Sequence, residues 1–278
     1  MMEQHSRLDL KNAQRIVVKV GTSTLTHENG KMNLIMMERL SLAISELMNE
    51  NKEVILVSSG AIGVGMGKFN FRRRPLGMGM KQALAAVGQC ELMNIYSRLF
   101  ATYNQTVAQI LLTKTDVNDD MKRKNVINTF KSLLELGVLP IVNENDSVSV
   151  DEIKSLMMFG DNDTLSAVVS KLISADLLII LSDIDGLYDA NPRESKESKL
   201  ISVVDNLDSN IREYAGGSGT NCGTGGMITK IDAAEIATTA GVDMVIANGY
   251  NPMIILNILK GEEVGTLFMK KSQNKDEQ

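Results

Sequence analysis

Val54-Ile-Leu-Val-Ser-Ser-Gly-Ala-Ile-Gly63 places a short apolar run directly before a cluster of small residues. The run is continuous rather than alternating, which is typical of a strand buried on both faces of a parallel sheet. Five further runs follow the same pattern: Ile16–Val20, Val107–Leu112, Val138–Val142, Leu177–Leu181 and Met244–Ala247. We therefore predict six strands of a mostly parallel sheet.

Helical patterns fill the intervals between these runs. Three segments carry apolar stripes at three-to-four spacing: Met37, Leu40, Ile44 and Leu47 after a start near Asn33; Ala83, Val87, Cys90 and Met93; and Val126, Phe130, Leu133 and Leu134. Two more helices are predicted over Thr164–Ser174 and Ile228–Ala240, the second ended by Gly241. The alternation predicts an α/β protein, a three-layer αβα sandwich around a mostly parallel central sheet.

The composition argues against several classes of function. The net charge of −5 does not indicate the basic surface that binds nucleic acids. Arg72-Arg-Arg74 is better explained as a solvated loop than as a polyanion site. Two histidines and two cysteines do not favour a disulfide framework or a zinc site. Met1 to Arg15 lacks a signal-peptide pattern, and no apolar run reaches the length of a membrane span. We expect a cytoplasmic protein without nucleic-acid or membrane partners.

Two lysines lie beside glycines, where a phosphate could bind. Lys19 lies inside the run Ile16–Val20 and directly before Gly21, so it loses hydration unless an anion receives it. The alternative is an edge lysine that reaches solvent. Lys230 lies one turn into a predicted helix, after the Gly-rich stretch Gly216–Gly226. Exposed N–H groups at a helix start hold phosphate well, although the stretch could also be a flexible surface linker.

Polar clusters follow two strands and open one helix. Ser58–Gly63 exposes successive backbone N–H groups suited to a carboxylate or phosphate, unless it is only a tight turn. Asn143-Glu-Asn-Asp146 and Asp161-Asn-Asp163 are dense in amides and carboxylates, of which helix capping explains only one residue. Such groups offer both donors and acceptors, as a zwitterionic amino acid requires. The sequence indicates a site for a phosphorylated ligand and a small polar substrate.

Taken in order, these clusters resemble the motifs of the amino acid kinase family, and the similarity extends from Ile16 to Phe268. The motifs that carry it are Lys19-Val-Gly-Thr-Ser23, Ser58-Ser-Gly-Ala-Ile62, Lys81-Gln-Ala-Leu-Ala-Ala-Val-Gly-Gln89, Ile141-Val-Asn-Glu-Asn-Asp146, Gly160-Asp-Asn-Asp163 and Gly223-Thr-Gly-Gly-Met227. The resemblance implies transfer of a phosphoryl group from ATP, with Mg²⁺, to the γ-carboxylate of L-glutamate. The product would be γ-glutamyl phosphate, for proline synthesis.

The resemblance also implies roles for particular residues. Lys19 and Lys230 would flank the transferring phosphoryl group, and Asp163 would orient both lysines. The implied substrate-binding residues are Ser59, Gly60, Ala61, Asn145, Asp146 and Asn162. The implied nucleotide-binding residues are Lys19, Ser182, Asp183, Thr224, Gly225, Gly226, Met227, Ile228, Thr229 and Lys230. No magnesium ligand is assigned.

Domain organisation and partners follow from the same resemblance. One kinase domain is expected over 12–270, with a substrate lobe at 12–174 and a nucleotide lobe at 175–270. Proline is the expected feedback inhibitor, γ-glutamyl phosphate reductase an expected partner, and the protein an expected homo-oligomer. Many relatives carry a C-terminal PUA domain, but this chain ends soon after Val264–Phe268, so a form without it is expected. The stretch Lys154–Phe159 looks longer than in some relatives and would alter glutamate access.

Two alternatives stay open. The chain could be a kinase of the same fold that acts on N-acetylglutamate or aspartate. Asp146 favours glutamate over N-acetylglutamate, because a free α-ammonium group pairs with a carboxylate and an acetylated amine does not. The chain could also be a catalytically silent nucleotide-binding sensor, although the presence of Lys19, Asp163 and Lys230 together argues against it.

Overall fold

The computed structural model describes residues 7–27, 31–71, 73–148, 159, 161–192, 195, 197–215 and 226–271. In this part of the chain, eight strands form one sheet: β1 Arg15–Val20, β2 Glu53–Ser58, β3 Val107–Leu112, β4 Leu139–Glu144, β5 Leu177–Ser182, β6 Val203–Val204, β7 Asp243–Asn248 and β8 Thr266–Phe268. Their spatial order is β3-β4-β2-β1-β5-β7-β8-β6. All neighbours are parallel except β7 and β8, so the prediction of a mostly parallel sheet is confirmed.

The α-helices of the described residues are α1 Thr22–Leu25, α2 Leu34–Asn49, α3 Ala61–Lys68, α4 Met78–Thr102, α5 Lys114–Asn118, α6 Asp120–Glu135, α7 Asn162–Leu172, α8 Ser209–Ala215, α9 Met227–Thr239 and α10 Ile254–Leu259. Two short 3₁₀ helices cover Leu10–Asn12 and Asp146–Val148. None of the described helices is long and apolar enough to cross a membrane.

Successive residues of the central strands enter two different cores, because side chains alternate between the faces of a strand. Val18 and Leu56 pack in the core that contains α2, α4 and α10. Val17 and Ile55 pack in the core that contains α6, α7 and α9. The predicted three-layer αβα sandwich is therefore confirmed.

The central position of β1 joins both halves of the sheet. Lys19 on β1 lies opposite Val57 of β2 on one side and Ile180 of β5 on the other. The sheet is thus continuous across the division predicted near Ser174–Asp176. The assignment of separate substrate and nucleotide lobes stays a prediction.

The predicted strands are confirmed with small shifts at their ends, but β6 and β8 were missed. These two strands have two and three residues, too few for a hydrophobic pattern to be recognised. The helix predicted over Thr164–Ser174 begins and ends two residues earlier, at Asn162 and Leu172. Asp161 caps its start through the Thr164 N–H, at 2.8 Å.

The stripe predicted for α4 was wrong, although the helix itself is present. Val87 and Cys90 are exposed, and the buried face instead includes Leu84, Gly88 and Gln89. The reason is a close crossing of α3 and α4: a Cβ atom on Gly88 would lie 1.8 Å from the carbonyl oxygen of Ala61. A face that includes glycine and glutamine is not recognised by apolar periodicity.

Candidate active site

Lys19, Asp163 and Lys230 meet at the carboxyl end of the sheet, and we call this group the lysine site. Lys19 lies near the end of β1, Asp163 in the first turn of α7, and Lys230 in the first turn of α9. The Asp163 Oδ1 lies 2.5 Å from the Lys19 Nζ, and its Oδ2 lies 3.0 Å from the Lys230 Nζ. The structure thus brings together the three residues predicted to be catalytic, which the sequence separates widely.

The lysine site is deeply buried, which makes its charge balance decisive. Asp163 is 1% exposed, Lys19 8% and Lys230 4%. Burial alone would raise the pKa of Asp163, but the charges of the two lysines, with their hydrogen bonds, hold it below its usual value. Thr229 adds a hydrogen bond from its Oγ1 to the Asp163 Oδ2, at 3.2 Å. One carboxylate therefore holds two ammonium groups, so the cluster carries a net positive charge that can receive an anion.

The small-residue cluster after β2 forms the start of α3. Gly60 has a left-handed backbone, with φ 103°, and precedes the helix without a side-chain cap. The Ser59 N–H donates to the Val20 carbonyl at 3.1 Å, which holds this segment against the end of β1. The first N–H groups of α3, beginning at Ala61, thus lie at the same end of the sheet as the lysine site.

Asn162 connects this segment to the end of β4. Its Nδ2 donates to the Ser59 Oγ at 2.8 Å and to the Asn143 Oδ1 at 2.9 Å, with a longer contact of 3.3 Å to the Ser58 carbonyl. Asn143 in turn donates to the Gln89 Oε1 at 2.9 Å. The substrate-binding predictions omitted Asn143 and Gln89, although both lie in motifs quoted above. Their burial, 3% and 8% exposed, is the structural signal.

Three carboxyl groups lie close by, and we call Glu144, Asp146 and Asp161 the acid cluster. Glu144 and Asp146 line a small cavity together with Asn145 and Gln89. Burial raises the pKa of Glu144 to about 7, helped by the charges of Asp146 and Asp161 and opposed by a hydrogen bond from the Phe159 N–H. The surroundings of this cavity therefore favour a cation.

The other two members of the acid cluster are shifted in the same direction. Burial raises the pKa of Asp146, and the charge of Arg74 opposes the rise. Burial also raises the pKa of Asp161, against the hydrogen bonds from Thr164. Arg74 is exposed, as expected for the loop Arg72–Arg74, yet its charge acts on a predicted substrate-binding residue.

Apart from Lys19 on β1, the predicted nucleotide-binding residues that the structure describes lie at the end of β5 and at the start of α9. Ser182 ends β5 and is 7% exposed, and its Oγ donates to the Asp183 Oδ1 at 3.2 Å. Gly226, the residue before α9, has no side chain that could cap the helix. The N–H groups that open the helix, from Met227 and Ile228 onward, therefore receive no hydrogen bond from the side chain of the capping residue. Thr224 and Gly225, like Lys154 to Met158, lie outside the described residues.

The described residues contain no group of three or more His, Cys, Asp or Glu side chains that could hold a metal ion. Mg²⁺ is commonly bound by one or two carboxylates together with substrate phosphates and water rather than by an all-protein cage. A magnesium ion that arrived with a nucleotide would thus need only one or two of the carboxylates at this end of the sheet.

Two lysines around one carboxylate, at the carboxyl end of a parallel sheet, fit a kinase of the α/β class. The chain belongs to the amino acid kinase family, whose model matches residues 14–248. The glutamate 5-kinase of Clostridium perfringens (strain 13 / Type A) is 56% identical over 265 residues, covering 95% of this chain and 98% of the relative. The glutamate 5-kinase of Listeria innocua serovar 6a is 51% identical over 267 residues, covering 96% and 97%.

Solved structures support the fold. Carbamate kinase from Giardia lamblia, bound to AMP-PNP, matches with a TM-score of 0.66 at 15% identity, covering 94% of this chain and 100% of the other. An isopentenyl phosphate kinase matches with a TM-score of 0.62 at 18% identity, covering 92% and 100%. At these identities the likeness concerns the fold alone.

Proposed function

We propose that this protein is an ATP-dependent kinase of L-glutamate. It transfers the γ-phosphoryl group to the γ-carboxylate and gives γ-glutamyl phosphate, the first step of proline biosynthesis. The observation that carries the proposal is the pairing of two sites of opposite preference: a buried lysine site that favours an anion and an acid cluster that favours a cation. The two relatives named above, both called glutamate 5-kinase and similar over nearly the whole chain, support the same reaction.

The lysine site supplies what phosphoryl transfer to a carboxylate needs. The carboxylate nucleophile must approach a polyanion, so charge repulsion is the first obstacle. The Lys19 and Lys230 ammonium groups offset this repulsion and stabilise the charge on the transferring oxygens. Asp163 keeps both ammonium groups in place, at 2.5 and 3.0 Å. No general base is needed, because the γ-carboxylate is already ionised at neutral pH.

The acid cluster and the Asn162 network accommodate the amino-acid end of the substrate. Asp146, which lines the cavity, receives the α-ammonium group, and Asn145 lines the same cavity. Asn162 and Ser59 are joined by a 2.8 Å hydrogen bond next to the start of α3, where Gly60 and Ala61 place backbone N–H groups. These residues hold the substrate with its γ-carboxylate toward the lysines.

The nucleotide binds next to the end of β5 and the start of α9. Exposed N–H groups at the start of α9 receive phosphate oxygens, and Ser182 and Asp183 lie at the end of the adjacent strand. When bound, Mg²⁺ supplies positive charge to the β- and γ-phosphates. Lys230 belongs to both regions, because it lies in the first turn of α9 and contacts Asp163.

The acid cluster also separates glutamate from its acetylated form. N-Acetylglutamate has a neutral amide where glutamate has an ammonium group, so it offers no cation to the carboxylates. Proline shares the α-amino-acid group of glutamate, so it is expected to compete for this region as a feedback inhibitor. A homo-oligomer and association with γ-glutamyl phosphate reductase remain part of the proposal.

Glutamate-dependent ADP release by the purified protein, with ATP and Mg²⁺, tests the function directly. Hydroxylamine should trap the acyl phosphate as a hydroxamate, which distinguishes transfer to a carboxylate from simple ATP hydrolysis. N-Acetylglutamate and L-aspartate serve as control acceptors. A kcat/KM for either control that equals the value for L-glutamate would overturn the proposed substrate.

A further inference from the structure

A backbone hydrogen bond determines which end of the Asn143 amide is the oxygen. The oxygen and nitrogen ends of an amide have the same shape, so hydrogen-bond partners must distinguish them. The Glu144 N–H can only donate, and it lies 2.9 Å from the Asn143 Oδ1. This end of Asn143 is therefore the oxygen, and the other end is the NH₂ group.

That orientation passes to the two amides that Asn143 contacts. The Asn143 Oδ1 also accepts from the Asn162 Nδ2 at 2.9 Å, so the NH₂ group of Asn162 faces inward and its oxygen is left over. The Asn143 Nδ2 donates to the Gln89 Oε1 at 2.9 Å, so the oxygen of Gln89 faces inward and its NH₂ group is left over. The Glu144 N–H thus determines the orientation of all three amides. The Asn162 oxygen and the Gln89 NH₂ group are the ends that do not contact Asn143.

The donor on Gln89 is placed where a ligand could use it. Gln89 is 8% exposed, and it lines the small cavity with Glu144 and Asp146. Among the described residues, its Nε2 has no hydrogen-bond partner, whereas its Oε1 accepts from Asn143. The Gln89 Nε2 is therefore available to donate to an acceptor that enters this cavity.

We propose that the Gln89 Nε2 donates to the α-carboxylate of the amino-acid substrate, while the Asn162 Oδ1 and Asp146 hold its α-ammonium group. This inference rests on the proposed function and adds the group that reads the second half of the zwitterion. The chain of contacts from Asp163 through Asn162 and Asn143 to Gln89 leads away from the lysine site. A substrate whose γ-carboxylate lies at the lysines therefore extends its α-carbon toward Gln89.

The acid cluster explains why the donor is a neutral amide. An arginine or lysine beside Glu144 and Asp146 would pair with these carboxylates and remove the attraction for the substrate ammonium. An amide NH₂ group donates to a carboxylate without cancelling that attraction. Gln89 thus makes recognition of the α-carboxylate compatible with an acidic surrounding.

The test compares L-glutamate with 4-aminobutyrate, which keeps the reacting carboxylate and the ammonium group but lacks the α-carboxylate. Gln89→Glu preserves the shape and the acceptor for Asn143 but replaces the donor with an oxygen. We expect its KM for L-glutamate to rise by about tenfold to a hundredfold, as for loss of a hydrogen bond to a charged group. The KM for ATP should stay near wild type, and the constant for 4-aminobutyrate, measured as substrate or competitive inhibitor, should not rise.

Two further variants complete the experiment. Gln89→Met removes the donor without adding a charge, but it also removes the acceptor for Asn143. It should therefore lower the preference for L-glutamate over 4-aminobutyrate, even where both ligands bind more weakly. Asn94→Asp adds a negative charge on the exposed face of the same helix and should leave the preference for L-glutamate over 4-aminobutyrate unchanged.

The possible outcomes separate this inference from the function on which it rests. A wild-type protein that neither binds L-glutamate in calorimetry nor phosphorylates it contradicts the proposed function and the inference together. An active wild type whose Gln89 variants lose L-glutamate and 4-aminobutyrate equally overturns the inference alone, because a merely structural role affects both ligands.

Discussion

Asp163 and Asp161 lie two residues apart at the start of α7, yet their pKa values shift in opposite directions. Both carboxyl groups lose water, which by itself raises a pKa. Asp163 has two lysine ammonium groups within 3.0 Å, and they hold its pKa below the usual value. For Asp161, burial raises the pKa, and the negative charge of Asp163 adds to the rise. The hydrogen bonds from Thr164 oppose this rise but do not cancel it.

The difference extends to the two regions as wholes. The lysine site contains more positive than negative charge, whereas the cavity beside it is lined by Glu144 and Asp146. In the part of the chain that the structure describes, no cation contributes to the pKa of Glu144 or Asp161. A substrate with a carboxylate at one end and an ammonium group at the other matches this polarity. The charges of the two regions thus support the proposed orientation of the amino acid.

Asp163→Asn should have the largest effect on the difference between the two carboxyl groups. This change leaves two buried ammonium groups without their carboxylate, so we expect the free energy of unfolding to fall by about 3–5 kcal/mol. Asp161→Asn is the matched control on the same helix, because Asn is as good a helix cap as Asp, and it should cost less than about 0.5 kcal/mol. Urea unfolding of the two variants measures both values. Equal losses would show that the lysines do not set Asp163 apart.

Lys230→Met separates chemistry from binding at the lysine site. The backbone N–H groups at the start of α9 survive this change, so ATP binding should weaken only modestly. The kcat should fall by about 10²–10³-fold, as when one preorganised contact to the transition state is lost. Steady-state kinetics and calorimetric ATP binding provide the two values. Lys171→Met, at an exposed position of α7, is the control, and a kcat near wild type for Lys230→Met would refute its role.

Asp146→Asn tests the acid cluster in the same way. The change keeps the size of the side chain and removes the charge that we propose faces the substrate ammonium group. The KM for L-glutamate should rise by about tenfold to a hundredfold, the range for a hydrogen bond to a charged group, while kcat stays near wild type. Asp120→Asn removes a carboxylate that is 83% exposed and should leave the KM unchanged. An unaltered KM for Asp146→Asn would remove Asp146 from the substrate site.

Glu144→Gln tests the acid cluster through the pH dependence of stability. Since the pKa of Glu144 rises from 4.5 to about 7 on folding, the folded protein binds more protons than the unfolded chain between these values. The contribution of Glu144 to stability is therefore full below about pH 4.5 and is lost as the pH rises through 7. Gln keeps the acceptor for the Phe159 N–H but does not titrate.

The stability of Glu144→Gln relative to wild type should accordingly increase between pH 5 and pH 8. A shift of this size corresponds to about 3 kcal/mol, and contact of the cavity with water reduces the expected change to about 1–2 kcal/mol. Urea unfolding of both proteins at the two pH values measures it. If the two stability curves stay parallel, the pKa of Glu144 is not raised.

Much of the fold could be predicted from the sequence because the central strands are continuous apolar runs, each ended by a polar or small cluster. The buried face of α4 could not be predicted, since Gly88 is buried for lack of a side chain and Gln89 for its hydrogen bond. Both reasons depend on residues elsewhere in the chain. Periodicity detects apolar side chains and has no access to such contacts.

The candidate site shows the same division. Lys19, Asp163 and Lys230 could be proposed because charged residues in apolar or glycine-rich surroundings are conspicuous. Gln89 and Asn143 were missed as site residues because the role of a buried amide depends on its hydrogen-bond partner. These two amides bond to each other across 54 residues of sequence.

The register of β1 has a consequence for refolding. Lys19 faces the same core as Val17, whereas its neighbours Val18 and Val20 face the opposite one. A slip of β1 by one residue against β2 and β5 would move the lysine ammonium group to the wrong side of the sheet and bury it among apolar side chains. Such a chain could retain a sheet but not the Lys19–Asp163 contact. Recovered kinase activity after denaturation would therefore report strand register, which circular dichroism alone does not resolve.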